Sequence, residues 1–512
     1  MVGKTNLSDI RLTEFGAARQ VPGSKIGLGI GKDSHLIDCG ISYSESDLGQ
    51  LPFKAEGIDS LILTHAHADH MGQIPDLYKS GFRGPIYSTA TTAEICSQQI
   101  GQTLSFDGFD SSRGSKPVGN GKNRNGRNGS DLGTQPKYAP RYEGITLDDI
   151  MDLFRRDRVK LSVGYPYNRK IGINDNLSIT FYEAGHIPGA AQVLNEIEVG
   201  GRKRKLLTMV DLGRTDYKTS TFPFTDTPFV KFPHTDFEQD IDYMVAEATY
   251  GARTHRPMDE SISLLESCLA EAYQSRSKLI IPAFSIMRTQ MVLYYLFRLD
   301  EQGKVPNMPI YFSSPSAAEI NRIMLRHCGD FDEQAVDAFK DTQYNPFDFD
   351  KLEYITDAAS NRELVYKKGP LAVIASSGMC DFGRVVGHLE NSIDNPKNII
   401  LLTGYNNPNT RGWQIEQKAN NPSLEPMIDF PNGGRKLLAN VHRLHGMSGH
   451  ADGHEMTAHI TNIMPPSNPP RQIFIKHGES EQCDGLKSLL IGAGYKPDTI
   501  TVMEKGQTYN LD

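Results

Sequence analysis

The chain has 512 residues, more than a single hydrophobic core usually serves, so two domains are expected. With 38% hydrophobic and 23% charged residues, it has the composition of a globular protein, and no apolar run approaches the roughly 20 residues of a membrane helix. With a formal net charge of −8, the chain lacks the excess of basic residues that is typical of a protein that binds nucleic acid without sequence specificity.

The N-terminal residues and the cysteines predict the compartment. The opening stretch, MVGKTNLSDIRLTEF, lacks the apolar segment of a secretory signal. The six cysteines are scattered without a CxxC pair, which fits a reducing compartment and argues against a zinc ribbon or a disulfide framework. We therefore expect a cytoplasmic protein with no membrane partner, in which nitrogen and oxygen ligands hold any metal ion.

The first half of the chain predicts short strands interrupted by helices. KIGLGIG, SHLIDCG and GIDSLILT predict strands, and TAEICSQQI predicts a helix. Residues 107–140 are rich in Gly, Asn and Ser and predict an exposed, flexible insertion. After it, the helical pattern of TLDDIMDLFRR precedes strands at LSITFYEAG, AQVLNEIEV and KLLTMVDLG.

From about residue 250 to 435, strands and helices alternate. The helix pattern SISLLESCLAEAYQSR precedes the strand KLIIPAF, and the helix pattern MRTQMVLYYLFRLDEQG precedes the strand PIYFSS. Apolar strands that alternate with helices indicate a parallel α/β domain. The last segment predicts the strands RQIFIKH and TITVME with helices before and between them.

The stretch LILTHAHADHMGQIP places three histidines and an aspartate at the end of a buried strand. In an extended segment, residues i and i+2 point the same way, so His65 and His67 can bind one cation together. Asp69 and His70 differ in position and orientation and are better placed for a second ion. Imidazole and carboxylate ligands suit zinc, and also manganese or iron.

Three further residues follow apolar strands in the same way. His186 follows ITFYEAG, Asp211 follows LLTMV, and His477 follows IFIK. A carboxylate such as Asp211 can bridge two metal ions, and water between such ions becomes hydroxide near neutral pH. Together with the histidine motif, these residues complete the set of ligands expected for two ions.

These motifs resemble those of a known family. HAHADH, AGHIPG and VDLGR look like successive motifs of the metallo-β-lactamase superfamily, and Asp38 in LIDCG matches its first-strand aspartate, which orients ligand histidines. In the second half, EATYGARTH, MSGHAD and IKHGES resemble the additional motifs of the β-CASP nucleases. The resemblance spans nearly the whole chain except residues 107–140.

The resemblance implies a fold and a domain organisation. It implies an α/β protein in which an αββα metallo-β-lactamase sandwich carries an inserted parallel α/β β-CASP domain. Residues 1–245 and 436–512 would form the two parts of the lactamase domain, and residues 246–435 the insertion. The active site would lie in the cleft between the two domains.

The resemblance also implies residue roles. His65, His67 and His186 would hold one metal ion, Asp69, His70 and His477 the other, and Asp211 would bridge them. A hydroxide generated at the two ions would attack phosphorus, so Asp211 and Asp69 count among the catalytic residues. His450 would donate a proton to the leaving oxygen, while Glu247 orients His450 and raises its pKa.

The resemblance further implies a substrate. The DNA-repair branch typically has valine where this chain has His477, so RNA, single-stranded, is the expected substrate, and Ser448 and Arg411 are expected to contact it. Bacterial RNase J has a histidine four residues before the residue equivalent to His450. Here that position is Gly446, with His445 one step earlier, so 5′-exonuclease activity is in question.

We therefore expect a ribonuclease of RNA processing or decay with two zinc ions, manganese being the alternative metal. A homodimer or a place in a processing complex stays open. Two other functions also stay open: a lactamase-fold hydrolase of another substrate, either DNA or a small ester or thioester, and a catalytically silent RNA-binding scaffold.

Overall fold

The protein is described from a computed structural model. It describes residues 9–42, 49–106, 142–155, 163–215, 230–237, 240–333, 335–336, 345–408 and 410–512. The predicted flexible insertion at 107–140 lies outside the described residues and stays a prediction.

The first sheet contains the strand that leads into the histidine motif. Its strands are β1 Ile10–Gly16, β2 Lys25–Ile30, β3 Asp33–Ile37, β4 Ser60–Ile62, β5 Ile86–Tyr87 and β21 Thr508–Asn510. Their order across the sheet is β21-β1-β2-β3-β4-β5. β1, β2 and β3 pair antiparallel, whereas β3, β4 and β5 are parallel.

The second sheet is mixed and carries four further site loops. Its strands are β6 Lys170–Gly172, β7 Leu177–Glu183, β8 Ala191–Val199, β9 Arg202–Met209, β10 Tyr243–Glu247, β19 Gln472–Lys476 and β20 Ile500–Val502. Their order is β20-β19-β10-β9-β8-β7-β6. Strands β9, β10, β19 and β20 are parallel. Every residue of β10 is buried, as expected of a central strand covered on both faces.

The two sheets pack face to face, and helices cover their outer faces. Leu12 and Leu28 of the first sheet share a buried cluster with Phe181 and Val193 of the second. The helices of this domain are α1 Ala68–Met71, α2 Ile74–Lys79, α3 Ala90–Phe106, α4 Leu147–Met151, α11 Gly453–Ile463 and α12 Ser480–Gly492. The first four pack on the first sheet and the last two on the second. The predicted αββα sandwich is confirmed.

The inserted domain is built on a third, parallel sheet. Its strands are β11 Lys278–Pro282, β12 Ile310–Ser313, β13 Leu352–Tyr354, β14 Leu371–Ala375, β15 Ile399–Leu402 and β18 Asn440–Arg443, in the order β13-β12-β14-β11-β15-β18. A separate hairpin is formed by β16 Met427–Phe430 and β17 Gly433–Lys436. The predicted parallel α/β insertion is confirmed.

Helices cover both faces of the third sheet. They are α5 Met258–Gln274, α6 Arg288–Glu301, α7 Pro315–Arg326, α8 Ala358–Tyr366, α9 Arg384–Glu390 and α10 Arg411–Asn420. Apolar residues of α5, α6 and α7 pack on one face, and those of α9 and α10 on the other. None of the described helices has the length and apolar composition needed to cross a membrane.

The predicted domain boundaries differ slightly from the boundaries that the strand pairing indicates. β10 belongs to the second sheet and ends at Glu247, two residues past the predicted first boundary at 245. β18 pairs with β15 in the third sheet, although it lies beyond the predicted second boundary at 435. We therefore propose that the inserted domain runs from about 248 to 443, because a strand belongs to the domain whose sheet it extends.

A buried ion pair joins the two sheets beneath the site. Lys476, at the end of β19, and Glu14 in β1 are both fully buried, with Lys476 Nζ 3.3 Å from Glu14 Oε2. Burial raises the pKa of Glu14 despite the opposing effect of Lys476. Lys476 Nζ also donates to Ser24 Oγ at 3.1 Å. Lys476 therefore favours the charged form of the Glu14 carboxylate.

We expect Lys476→Met to lower the free energy of unfolding by about 3–5 kcal/mol, because it leaves the Glu14 carboxylate buried without its cation. Urea denaturation measures this change. The matched control is Lys203→Met, which removes an exposed pair with Glu198 and should change the value by less than about 1 kcal/mol. Equal losses in the two variants would contradict this role of the buried pair.

Candidate metal centre and catalytic pair

The site forms where five strands end at the same edge of the sandwich. His65 follows β4, His186 follows β7, Asp211 follows β9, and His477 follows β19, while Glu247 is the last residue of β10. In the second sheet, Glu247 pairs in register with Lys476, the residue before His477. Side chains that are far apart in the sequence therefore meet at the carboxyl ends of their strands.

The first group of potential ligands consists of His65, His67, His186 and Asp211, whose ligand atoms lie within 4.8 Å of one another. His67 Nδ1 is 3.1 Å from His65 Nε2 and 3.0 Å from His186 Nε2. Asp211 Oδ2 is 3.3 Å from Nε2 of both His65 and His186. The ligand atoms of these four residues thus face one point. They are the histidine pair of the motif, the distant His186 and the carboxylate predicted to bridge.

The second group consists of Asp69, His70 and His477, within the same 4.8 Å limit. His70 Nε2 lies 3.0 Å from His477 Nε2, and His477 Nε2 lies 3.5 Å from Asp69 Oδ2. The other oxygen of Asp211, Oδ1, is 3.3 Å from His70 Nε2. Asp211 therefore turns one carboxylate oxygen to each group, which is the arrangement expected of a bridging ligand.

The contacts within the groups fit a bound cation. His186 Nδ1 donates to the carbonyl oxygen of Gly449 at 2.9 Å, so its Nε2 carries a lone pair, and this lone pair faces Asp211 Oδ2. Asp211 Oδ1 is buried without a hydrogen-bond partner among the described residues. A buried acceptor that faces other acceptors is costly unless a positive charge lies between them. Nitrogen and oxygen donors of this kind suit zinc or manganese.

The electrostatics of the first group favour neutral imidazoles. Burial lowers the pKa of His67 to about 3, and burial likewise lowers the pKa values of His65 and His186. The pKa of Asp211 stays well below its usual value, because the surrounding histidines outweigh the effect of burial. Neutral imidazoles beside an ionised carboxylate are the protonation states that metal binding requires.

The second group attracts positive charge more strongly. Burial opposes a charge on His70, yet the carboxylates of Asp211 and Asp38 raise its pKa well above the usual value. Burial likewise opposes ionisation of Asp69, but the hydrogen bond with His477 keeps the pKa of Asp69 low. A bound cation, either a proton or a metal ion, therefore stabilises this part of the site.

Asp38 lies behind the cluster and orients it. Its Oδ2 accepts from His70 Nδ1 at 2.8 Å, which leaves His70 Nε2 to face the second group. Asp38 also accepts from the backbone and the hydroxyl of Thr64, and the Thr64 hydroxyl lies 3.1 Å from His65 Nδ1. Asp38 and His477 both have left-handed backbones, with φ of 60° and 54°. Such backbones are uncommon outside glycine and often occur at functional sites.

His450 and Glu247 form a pair beside the first group. His450 Nδ1 is 2.9 Å from Glu247 Oε1 and 3.9 Å from Asp211 Oδ2. Burial alone would lower the pKa of His450, but the carboxylates of Glu247 and Asp211 raise it to about 10. Glu247 also accepts from the backbone of Leu212 at 3.0 Å, which fixes the carboxylate. The two carboxylates therefore orient the imidazole and favour its protonated form.

The two residues predicted to contact the substrate, Ser448 and Arg411, lie in different surroundings. Ser448 is buried, and its Oγ accepts from the backbone N–H of His450 at 3.2 Å, so it shapes the loop that carries His450. Arg411 is not part of the cluster. Its guanidinium donates to the carbonyl oxygens of Asp429 and Cys380 and joins segments of the inserted domain. Contact of either residue with RNA stays a prediction.

Two threonines at the site were not predicted from the sequence. Thr64 contacts both Asp38 and His65, and Thr249 contacts both Glu247 and His477. Their positions in the sequence could have identified them, because Thr64 directly precedes His65 and Thr249 follows Glu247 by two residues. A hydroxyl that flanks a ligand or a catalytic group is a candidate to orient it.

Three family profiles match the chain in order. They are described as the metallo-β-lactamase superfamily, matching residues 28–150, the Beta-Casp domain, matching residues 289–415, and the Zn-dependent metallo-hydrolase RNA specificity domain, matching residues 435–501. The first covers the histidine motif, the second lies in the inserted domain, and the third includes His450 and His477. The three matches follow the predicted order of the domains.

Similar proteins extend over nearly the whole chain. "Ribonuclease TTHA0252" of Thermus thermophilus is 28% identical, over 94% of this chain and 96% of that protein. "Transcription termination factor FttA" of Methanosarcina mazei is 24% identical, over 94% of this chain and 68% of that protein. The protein of the same name from Methanocaldococcus jannaschii is 26% identical, over 98% of this chain and 71% of that protein.

A solved structure has a similar fold. The crystal structure of a protein of unknown function from Enterococcus faecalis V583 matches with a TM-score of 0.51, over 98% of this chain and 100% of that chain. Only 12% of the residues are identical, so this likeness concerns the fold alone.

Proposed function

The chain belongs to the metallo-β-lactamase superfamily and carries a β-CASP domain, and from this premise we propose that it hydrolyses RNA phosphodiester bonds with two metal ions. The observation that carries the proposal is the arrangement around Asp211. Its two carboxylate oxygens face two separate groups of ligands, and the His450–Glu247 pair lies beside one of them. A hydrolase needs both a nucleophile and a proton donor, and this arrangement can supply both.

We propose zinc as the metal, held by His65, His67 and His186 on one side and by Asp69, His70 and His477 on the other, with Asp211 shared. Two such ions, when bound, lower the pKa of water and stabilise negative charge on phosphate oxygens. The absence of thiolates from both groups leaves manganese as the alternative.

The remaining chemistry belongs to the protein. Glu247 Oε1 accepts from His450 Nδ1, which leaves the Nε2–H of the charged imidazole to donate to the leaving oxygen. After that donation the imidazole is neutral, and the carboxylates of Glu247 and Asp211 favour its return to the charged form. Ser448 Oγ accepts from the backbone N–H of His450 and so supports the loop that carries the imidazole.

RNA is the substrate that the comparisons favour. The matched profile over residues 435–501 is described as an RNA specificity domain, and one relative is named a ribonuclease. The inserted parallel domain is also larger than a hydrolase of small esters requires. A single strand is the expected form, while assembly into a homodimer or a processing complex and a cytoplasmic location stay predictions.

The packing around Gly446 favours internal cleavage. A Cβ atom at Gly446 would lie 3.0 Å from Ser261 Oγ and 3.1 Å from the carbonyl oxygen of Pro257, closer than most Cβ contacts, so a histidine here would require its neighbours to shift. The neighbouring His445 is exposed instead. We therefore propose that the chain does not require a 5′ phosphate and cuts within the RNA.

The test is cleavage of single-stranded RNA labelled at either end, prepared with a 5′ triphosphate, monophosphate or hydroxyl. We expect internal products at rates that differ less than about threefold among the three ends. A DNA strand of the same sequence is the control and should be cut much more slowly. Mononucleotides released only from 5′-monophosphate RNA would contradict internal cleavage, and metal-loaded protein that cuts no RNA would overturn the proposed function.

A further inference from the structure

Thr249 links the catalytic pair to the second ligand group. It follows β10 by two residues and is partly buried. Its backbone N–H donates to Glu247 Oε2 at 3.1 Å. Its hydroxyl oxygen lies 3.2 Å from His477 Nδ1 and 3.2 Å from the carbonyl oxygen of the same residue. One short side chain thus contacts a ring nitrogen, a backbone oxygen and, through its own backbone, a carboxylate.

The hydrogens of these contacts can be assigned. The carbonyl oxygen of His477 can only accept, and a Thr249 hydroxyl that donates its single hydrogen there leaves its own lone pairs for His477 Nδ1. With that hydrogen used, the hydroxyl oxygen accepts from His477 Nδ1, and Asp211 Oδ1, 3.5 Å from the same nitrogen, is a second acceptor for a ring hydrogen there. In a neutral imidazole, this leaves the lone pair on Nε2.

That lone pair faces the second group. His477 Nε2 is 3.0 Å from His70 Nε2, and because His70 Nδ1 donates to Asp38, His70 Nε2 carries the lone pair when that ring is neutral, as it is when a metal ion is bound. The backbone of His477 is left-handed at φ 54°, a conformation that costs energy in a residue with a Cβ. The bond from the Thr249 hydroxyl to the His477 carbonyl helps to hold this backbone in place.

Resting on the proposed function, we propose that Thr249 is a positioning residue that fixes the tautomer and the orientation of His477 for the second metal ion. The backbone N–H of Thr249 also donates to Glu247, so Thr249 supports the carboxylate that orients His450. Thr249 acts through His477 and Glu247, the two residues that its hydroxyl and its backbone N–H contact.

Two substitutions separate the hydroxyl from the shape of the side chain. Thr249→Val keeps the volume and the backbone bond to Glu247 but removes both hydroxyl contacts, whereas Thr249→Ser keeps the hydroxyl. We expect Thr249→Val to weaken binding of the more loosely held zinc ion by about 10–100-fold, as loss of an orienting partner typically does, and Thr249→Ser to retain near-normal affinity. Competition with a zinc chelator measures this affinity without any RNA.

The controls make the result specific. Thr254→Val, an exposed change in the same loop, should leave zinc affinity unchanged, and thermal unfolding of all variants reports whether the fold is intact. Wild-type affinity in Thr249→Val, or equal weakening in the valine and serine variants, would overturn the proposal. Because zinc binding is measured directly, the effect of Thr249→Val on zinc affinity can be interpreted even if the chain does not cut RNA. Failure to cut RNA would overturn the proposed function alone.

Discussion

Replacing His67 and Asp69 together with alanine is expected to abolish RNA cleavage and to leave the protein folded. The two changes remove one ligand from each group, because His67 lies between His65 and His186, while Asp69 faces His70 and His477. Neither side chain fills the hydrophobic core. We expect about two zinc ions per wild-type chain, as a two-metal site requires, and fewer than one in the variant. Metal analysis and the rate of RNA cleavage measure the two effects.

A matched control has the same residue spacing outside the site. His234 and Asp236 repeat the His-x-Asp pattern, and His234 packs on Tyr182 rather than on the cluster. The double change His234→Ala and Asp236→Ala should therefore retain both metal ions and RNA cleavage. Cleavage that persists after loss of His67 and Asp69 would contradict the two-metal site, as would one or no metal ion in active wild-type protein.

The ligand positions could be predicted because they share a local pattern. His65, His186, Asp211 and His477 each follow an apolar strand, and parallel strands present their carboxyl ends at one edge. His450 has no such pattern, since it lies in a loop before α11 and meets Glu247 across 203 residues of sequence. Its prediction depended on the resemblance to known nucleases. Thr249 was missed because its function depends on contacts of the hydroxyl, which the sequence does not reveal.

The fold could be predicted where apolar strands and helices alternate over long stretches. Short elements were less predictable. The segment after His70 forms two short helices, α1 and α2, and Pro75 lies at the start of the second, where its missing N–H costs no helical hydrogen bond. The edge strand β21 and the hairpin of β16 and β17 were not predicted. β17 and β21 consist mostly of exposed residues, which carry little of the apolar alternation that identifies a strand, and β16 is only four residues long.

The second large effect is expected from His450→Ala, which should slow RNA cleavage by about 10²–10⁴-fold if His450 is the proton donor. Metal content should remain that of the wild type, because His450 contacts Glu247 and is not a member of either ligand group. Glu247→Gln should also slow cleavage, since the amide can hold the ring but lacks the charge that raises the pKa of His450. Single-turnover cleavage rates measure the effect on the chemical step.

The nearby His454 provides the control for this prediction. It is exposed on α11, four residues beyond His450, so His454→Ala removes an imidazole of the same helix region without touching the pair. We expect its cleavage rate to equal that of the wild type. An unchanged rate in His450→Ala would assign His450 a structural role, and loss of metal from that variant would make it a ligand. If His450→Ala cleaves slowly but keeps both metal ions, His450 acts in proton donation and not in metal binding. The hydrogen bond between His450 and Glu247 favours this role.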